Sequence, residues 1–525
     1  MSVHKEISFE TEICAHLTAN GWLYAEGDAG AYDRGRALFP ADVVAWVQAA
    51  QPAAWELLVK NHGAKAADTL LDRLRDQITR RGTLDVLRHG IELLGLKAKL
   101  VMAQFKPALV LNPEITERYA QNRLRVVRQV RYSVHHEGCI DLVLFVNGIP
   151  VATAELKTDF TQRVEDAVDQ YRFDRLPQSK GQAPEPLLSF PRGALVHFAV
   201  SNSEVHMTTK LAGPATVFLP FNQGDDGGKG NPVNPNGYRT AYLWEHVWAR
   251  DSWLEILGRY LVTQRNEKKQ IAAVLFPRYH QLDVTRKLQT AIRAEGPGGR
   301  YLIQHSAGSG KTNSIAWSAH FLAEMHDEQA KKVFDTVLVV SDRNVIDGQL
   351  QDALFDFQRT TGVVATIKGG EGSKSSELAA ALKGDKKIVV VTIQTFPFAL
   401  AAVRELAATQ GKTFAVLADE AHSSQSGEAA AKLKELLSAD ELAELGDGGE
   451  VSTEDVLAAQ MAARAAEERG ITFVAFTATP KNKTLELFGT RPDPTRKPAP
   501  DNVPAPFHVY SMRQAIEEGF ILDVL

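Results

Sequence analysis

From about residue 268 onward, short apolar runs alternate with helical stretches, and this alternation narrows the possible folds more than any other feature. The runs are Tyr301–Gln304, Thr336–Val340, Lys387–Thr392, Phe414–Ala418 and Ile471–Phe476. A strand that is apolar at nearly every position, rather than every second one, is covered on both faces. Helical crossovers between such strands give a parallel, doubly wound sheet. The stretch from Gly427 to Gly470 is rich in Ala, Glu and Leu and reads as a helical insertion on that sheet.

Residues before this point show a different pattern. Up to about 110 the chain reads as mostly helical. Phe9, Ile13 and Leu17 recur at four-residue spacing and stop at Gly21, and Leu71, Leu74 and Ile78 mark a second apolar face. At about 120 strands take over: Leu124 to Val130, Ile140 to Val146, Ile149 to Leu156 and Leu195 to Ser201. Gly224 to Gly237 reads as a loop and Tyr242 to Leu261 as a helix.

The first chemical motif, His305-Ser306-Ala307-Gly308-Ser309-Gly310-Lys311-Thr312, comes directly after one of the apolar strands and opens a helix. Glycines there let backbone N–H groups turn inward around phosphates, and the helix N-terminus adds partial positive charge. Lys311 is placed to reach the β- and γ-phosphates of a nucleotide, and Thr312 to bind Mg²⁺ through its hydroxyl. The first position of the usual pattern is His305 instead of glycine. About a hundred residues later, Leu417-Ala418-Asp419-Glu420-Ala421-His422 leads an apolar strand into two acids. Asp419 suits a Mg²⁺ held through water, and Glu420 suits activation of the attacking water. Phe476-Thr477-Ala478-Thr479-Pro480 comes after the next strand.

The second chemical motif lies on the two strands joined by Asn147-Gly148. Asn-Gly between apolar runs is a strong hairpin signal. Folding the hairpin brings Asp141 beside the Glu155-x-Lys157 segment, and a strand repeat of two puts Glu155 and Lys157 on one face. Asp141 and Glu155 then form a Mg²⁺ site, with Lys157 stabilising charge on a phosphorane or positioning water. Carboxylates inside apolar strands are costly unless they bind something. Arg118, Arg123, Arg125, Arg128 and Arg131 run just before the hairpin, either as a phosphate-contacting wall or as a solvated charged face.

Composition sets only outer bounds. At 525 residues the chain has room for three to four structural units, and 44% apolar with 23% charged residues is ordinary for a globular protein. The formal charge of −5 rules out a uniformly basic coat but not a local basic groove for DNA. No apolar run reaches the ~20 residues of a membrane helix, and Met1 to Glu10 shows no signal-peptide pattern. The two cysteines, Cys14 and Cys139, form neither a disulfide framework nor a metal motif. They read as small buried hydrophobes, which fits a reducing cytoplasm.

The order of the Gly-Ser-Gly-Lys-Thr, Asp-Glu-Ala-His and Thr-Ala-Thr segments resembles the superfamily 2 helicases and translocases. That resemblance implies a RecA-like first motor lobe and a DNA contact at Ser341-Asp342-Arg343-Asn344. It also offers Tyr279 and Gln281 as an adenine clamp, although a buried helix start accounts for them nearly as well. The hairpin resembles the PD-(D/E)xK nuclease fold of the RecB-like kind, with Ile140 in place of the proline. By that resemblance Gln170 is a further catalytic residue and Glu10 the upstream metal-binding acid, with Glu12 as the alternative. The family's QxxxY is not met, because Asp174 stands at the Tyr position and Tyr171 is adjacent to Gln170.

A nuclease ahead of such a motor is similar to the R subunit of type I restriction enzymes. Asn222 to Trp248 and Phe520-Ile521-Leu522-Asp523-Val524-Leu525 carry smaller matches. The organisation expected is an α+β endonuclease domain over 1–260 with its core at 120–205, a RecA-like lobe over 261–490, and a linker with the start of a second lobe over 491–525. The resemblance implies ATP-dependent translocation of duplex DNA, cleavage with Mg²⁺, and methyltransferase (M) and specificity (S) partner subunits. S-adenosylmethionine would be bound only by the methyltransferase, and no membrane is involved. As a piece lacking the second lobe, the chain is expected to bind ATP weakly and not to translocate alone. Two alternatives remain open: a motor whose N-terminal module binds DNA without cutting it, and an inactive scaffold that uses nucleotide as a switch.

Overall fold

The computed structural model describes residues 2–93, 95–107, 109, 111–160, 162–341, 346–357, 362–367, 381–382, 384, 386–392, 396–419, 470–480, 482–493, 495–496, 499 and 501–521. The chain divides into two compact units. One comprises residues 1–225 and 230–278, the other 226–229 and 279–525.

The first unit is built on a six-stranded sheet in simple sequence order: β1 (Leu124–Arg131), β2 (Cys139–Val146), β3 (Ile149–Leu156), β4 (Val196–Val200), β5 (Val205–Thr208) and β6 (Leu219–Pro220). All neighbours are antiparallel except β3 and β4, whose parallel pairing requires a crossover. That crossover carries a short helix, Val164–Asp169, which continues as a π-helical turn over Gln170–Asp174. Val164, Ala167 and Val168 pack on Ala199 of β4, so the helix covers the sheet face that Ala199 shares with its register partner Glu155. On the helical side are α1 (Ser2–Ala19), α2 (Pro40–Ala50), α3 (Pro52–His62) and α4 (Ala66–Arg81). Pro40 and Pro52 open α2 and α3 at a position where a missing N–H costs nothing.

The Asn147-Gly148 turn is where the sequence puts it. Both residues have positive φ, +49° and +78°, as a two-residue hairpin of right-handed twist requires. The turn is also buried. Asn147 is fully covered, donating to Met102 O and Asn122 Oδ1 and accepting from the Arg123 N–H. A Cβ on Gly148 would lie 2.5 Å from both Phe39 O and Val43 Cγ2 at the start of α2. Gly148→Ala is therefore expected to destabilise the first unit by about 2–3 kcal/mol, read as a fall in the denaturant midpoint. An unchanged midpoint would mean the turn does not pack on α2.

Three local expectations differ from the structure. Tyr242 to Leu261 is not one helix: π-helical turns at Leu243–Val247 and Ile256–Tyr260 flank a short α-helix, Arg250–Glu255. Its apolar residues are buried along the whole stretch, so the periodicity survives while the backbone hydrogen bonding changes. The hairpin β7 (Val262–Arg265) and β8 (Ile271–Leu275) falls in the first unit, which runs to Arg278 instead of ending near 260. Here Phe276 packs among Phe198, Phe221 and Trp253. Cys14 is buried, but Cys139 at the open end of β2 is only half-buried.

The second unit is a wholly parallel seven-stranded sheet in the order β11-β12-β10-β13-β14-β9-β15. Its strands are β9 (Arg300–His305), β10 (Thr336–Ser341), β11 (Val364–Thr366), β12 (Ile388–Thr392), β13 (Phe414–Asp419), β14 (Ile471–Thr477) and β15 (His508–Tyr510). β10, β13 and β14 are buried at every position, as two covered faces demand. Leu338, Val340, Val389, Val416 and Phe473 are among the residues that form the core against it. The proposed insertion at 427–470 and the residues Asp342, Arg343 and Asn344 lie outside the described residues, apart from Gly470.

Candidate active sites

In the first unit the hairpin register sets the geometry. Leu142 opposes Ala154, so Asp141 comes next to Glu155 across the ladder, and the Leu156 N–H donates to Asp141 Oδ2 at 2.8 Å. Glu155 is completely buried and Lys157 nearly so. Arg175 Nε donates to Glu155 Oε1 at 2.6 Å, whereas Glu155 Oε2 meets no donor among the described residues. Burial, and then the charge of Asp141, push the Glu155 carboxyl well above the usual carboxylate range, against the pull of Arg175. The buried Glu155 thus lies beside the half-buried Asp141, whose charge raises the cost of charge on Glu155. A bound cation would offset that cost.

The two candidates for the upstream acid separate in space. Glu10 is buried on α1, accepting from Arg128 at 2.9 Å and from Gln129 Nε2 at 2.7 Å, and Gln129 Nε2 also lies 3.2 Å from Asp141 Oδ1. Its carboxyl too is raised, by burial first and then by Asp141. Glu12, two residues along and exposed, has Glu245 as its charged neighbour instead. Gln129 bridges Glu10 and Asp141 from a left-handed backbone position at φ +49°, a detail no sequence pattern signalled.

Gln170 opens the π-helical turn, and its Oε1 is buried without a partner among the described residues. Asp174 is exposed and takes no part, while Tyr171 fills a buried slot beside β3. The Tyr171 hydroxyl lies 2.7 Å from Thr153 Oγ1, which in turn lies 2.8 Å from His197 Nδ1. Thr153 shares a strand face with Glu155 and Lys157, so this trio continues the row of the acids.

Burial pushes the His197 ring down to about 3. The unfolded chain takes up that proton below ~6.5, whereas the folded one does not until far lower pH. Stability is therefore lost as pH falls through this window, by ~2 kcal/mol between pH 6.5 and 5. In His197→Asn that loss is expected to vanish, so the difference in unfolding free energy between wild type and variant should shrink by this amount. A difference independent of pH would contradict a buried neutral ring.

The arginine run before the hairpin is largely committed elsewhere. Arg123 and Arg125 hold the fully buried Asp42, Arg125 also holds Asp28, Arg128 holds Glu10, and Arg131 pairs with Glu137. This removes most of the supposed phosphate-contacting wall, since these cations balance acids within the fold.

In the second unit the nucleotide motifs meet at one edge of the sheet. Thr477 is in register with Gln304, and Asp419 with Phe476. The phosphate loop, Asp419 and Thr477 thus sit together at the carboxyl ends of adjacent parallel strands, where such sheets form ligand crevices. Gly308 and Gly310 have φ of +71° and +76°, and Gly310 is the residue before the helix that Lys311 opens. Ser309 is buried, Ala307 and Gly308 are exposed, and Lys311 and Thr312 are half-buried. Asp419 is buried at the last position of β13, and Glu420 lies outside the described residues.

Gln281 is buried, and its amide donates to Gly310 O at 3.0 Å. In this structure it braces the phosphate loop, which leaves the half-buried Tyr279 as the more accessible member of the pair offered as a clamp. His305, in place of the usual glycine, is fully buried. Its Nε2 lies 2.8 Å from His508 Nδ1, and His508 Nε2 lies 3.0 Å from Asp283, so a polar chain fills the space below the loop.

No group of three or more His, Cys, Asp or Glu side chains among the described residues forms a ready-made metal cage. The donor set nevertheless fits Mg²⁺, which keeps several waters and needs only one or two carboxylates. Asp141 together with the unpartnered Glu155 Oε2 supplies those. No helix among the described residues is long and apolar enough to cross a membrane.

Comparison with known proteins gives both halves a family. Residues 51–216 match the family described as type I restriction enzyme R protein N terminus, and residues 280–525 match the SWI2/SNF2 ATPase family. The chain carries the two in the order expected of a type I restriction enzyme R subunit. A curated relative from Methanocaldococcus jannaschii, "Putative type I restriction enzyme MjaVIIIP endonuclease subunit", is 21% identical over 390 residues, covering 67% of this chain and 34% of its own length. The chain thus spans about a third of that relative. It is also similar to "The fragment structure of a putative HsdR subunit of a type I restriction enzyme from Vibrio vulnificus YJ016", at 14% identity and a TM-score of 0.28, covering 73% of this chain and 52% of the other.

Proposed function

We propose that the chain is the nuclease and first motor lobe of an R subunit that couples ATP-driven translocation of duplex DNA to Mg²⁺-dependent phosphodiester cleavage of unmodified DNA. The observation that carries this reading is the buried, donor-free oxygen of Glu155 beside Asp141, on a chain that also brings a phosphate loop and Asp419 to one sheet edge.

In the PD-(D/E)xK-like half, Asp141 and Glu155 would hold the metal ion, with Glu10 as a third acid nearby. When bound, the ion would polarise the scissile phosphate and lower the pKa of an attacking water. Lys157 would oppose the charge that builds on the phosphorus oxygens, and Gln170 would orient substrate or water. In the RecA-like half, the backbone N–H groups of Gly308, Ser309 and Gly310 would cradle the phosphates of ATP. Lys311 would reach the β- and γ-phosphates, Thr312 and Asp419 would hold Mg²⁺, and Glu420 would activate water. Methyltransferase and specificity subunits would read the DNA site, with S-adenosylmethionine bound only to the methyltransferase, in the cytoplasm.

The test is cleavage of plasmid DNA by the full-length protein with those partner subunits. Unmodified plasmid should be cut only when ATP and Mg²⁺ are both present, and methylated plasmid should be spared. Cutting that needs no ATP, or that ignores methylation, would overturn the restriction reading.

A further inference from the structure

We propose that Arg175 is a positioning residue of the nuclease metal site, holding Glu155 so that its free oxygen is presented toward Asp141 for a divalent cation. The inference rests on the reading of Asp141 and Glu155 as metal ligands, and it adds a residue that no motif contains.

Glu155 sits near the end of β3 with no exposed surface, and a carboxylate there has few ways to be satisfied. Arg175 Nε takes one oxygen at 2.6 Å, and the arginine side chain is itself only 13% exposed. The arginine is held in turn, because its backbone N–H donates to Gln170 O at 2.9 Å and so closes the π-helical turn. A guanidinium fixed by a tight turn acts as a stop: it occupies Oε1 and leaves Oε2 without a donor. The acids on either side of Asp141 are treated alike, Glu10 being held by Arg128 as Glu155 is held by Arg175. Asp141 accepts from the Leu156 N–H and the Gln129 amide, and its carboxyl faces that of Glu155. The place left for a cation is therefore between Asp141 and Glu155 Oε2, the one carboxyl oxygen of Glu155 that Arg175 does not take. Outer groups of this kind orient first ligands, and their loss weakens metal binding roughly 10–100-fold.

The opposite role, an arginine that competes with the metal for Glu155, predicts the opposite sign. The experiment is Mn²⁺ titration of the full chain without nucleotide, with free Mn²⁺ read by electron paramagnetic resonance. Asp141→Asn and Glu155→Gln define the binding that belongs to this site. Arg175→Gln is expected to weaken that binding at least about tenfold, and Arg175→Lys, which keeps the charge but loses the planar Nε–H donor, to weaken it less. Mn²⁺ binding by Arg175→Gln as tight as wild type, or tighter, overturns the proposal. Should Arg175→Gln fail to fold, Arg175→Lys decides by the same sign: weaker binding supports the proposal, and equal or tighter binding overturns it. If Asp141→Asn and Glu155→Gln leave Mn²⁺ binding unchanged, the metal site itself has been misread, an outcome distinct from a failure of Arg175 alone.

Discussion

Replacing Glu155 with alanine is expected to slow DNA cleavage by the reconstituted enzyme on the order of 10³-fold, with DNA-dependent ATP hydrolysis unchanged. The size of the effect comes from what the side chain supplies. Glu155 offers a carboxylate oxygen that is both buried and without a donor, and alanine removes it entirely. Stability is set by two opposed effects, since alanine removes a costly carboxyl beside Asp141 but leaves the nearly buried Arg175 without its partner. Cleavage is measured as loss of supercoiled plasmid, and thermal unfolding of the same preparation shows that the fold persists. Cleavage at the wild-type rate would mean the hairpin is not the cutting site.

The second large effect is expected from Lys311→Ala, which should lower DNA-dependent ATP hydrolysis on the order of 10³-fold and abolish cleavage that depends on translocation. Lys311 opens the helix after the phosphate loop, at the carboxyl edge where Asp419 and Thr477 also end their strands. Alanine keeps the helix and removes the ammonium that, on the proposed function, would meet the phosphates. Divalent cation binding at Asp141 and Glu155 should be untouched, since those residues belong to the first unit. Steady-state phosphate release with and without DNA is the readout. Persistence of DNA-stimulated turnover would contradict the assignment of the loop.

The features legible in the sequence are those set by local periodicity. The parallel sheet is announced by runs that are apolar at every position, and the hairpin by Asn147-Gly148, because both signals are complete within a dozen residues. The pairing of Asp141 with Glu155 comes with the turn. Groups brought in from a distance are harder to read. Gln129 joins the cluster through a left-handed backbone position, and Arg175 through a π-helical turn, and neither conformation has a residue signature here. The arginine run misleads for the same reason. Its partners Asp42, Asp28 and Glu10 lie about a hundred residues upstream, so a chain of ion pairs looks like an open basic wall. The choice between Glu10 and Glu12 needs the helix rotation, which places one against Asp141 and leaves the other exposed.

A nuclease site and a motor site on one chain should be separable by a single substitution. The most direct measurement is triplex displacement by the complete complex of the full-length protein carrying Asp141→Ala, with cleavage of the same DNA monitored in parallel. ATP-dependent displacement at the wild-type rate with no cleavage is the expected result. Cleavage that survives Asp141→Ala, or displacement lost along with it, would contradict the separation of the two sites.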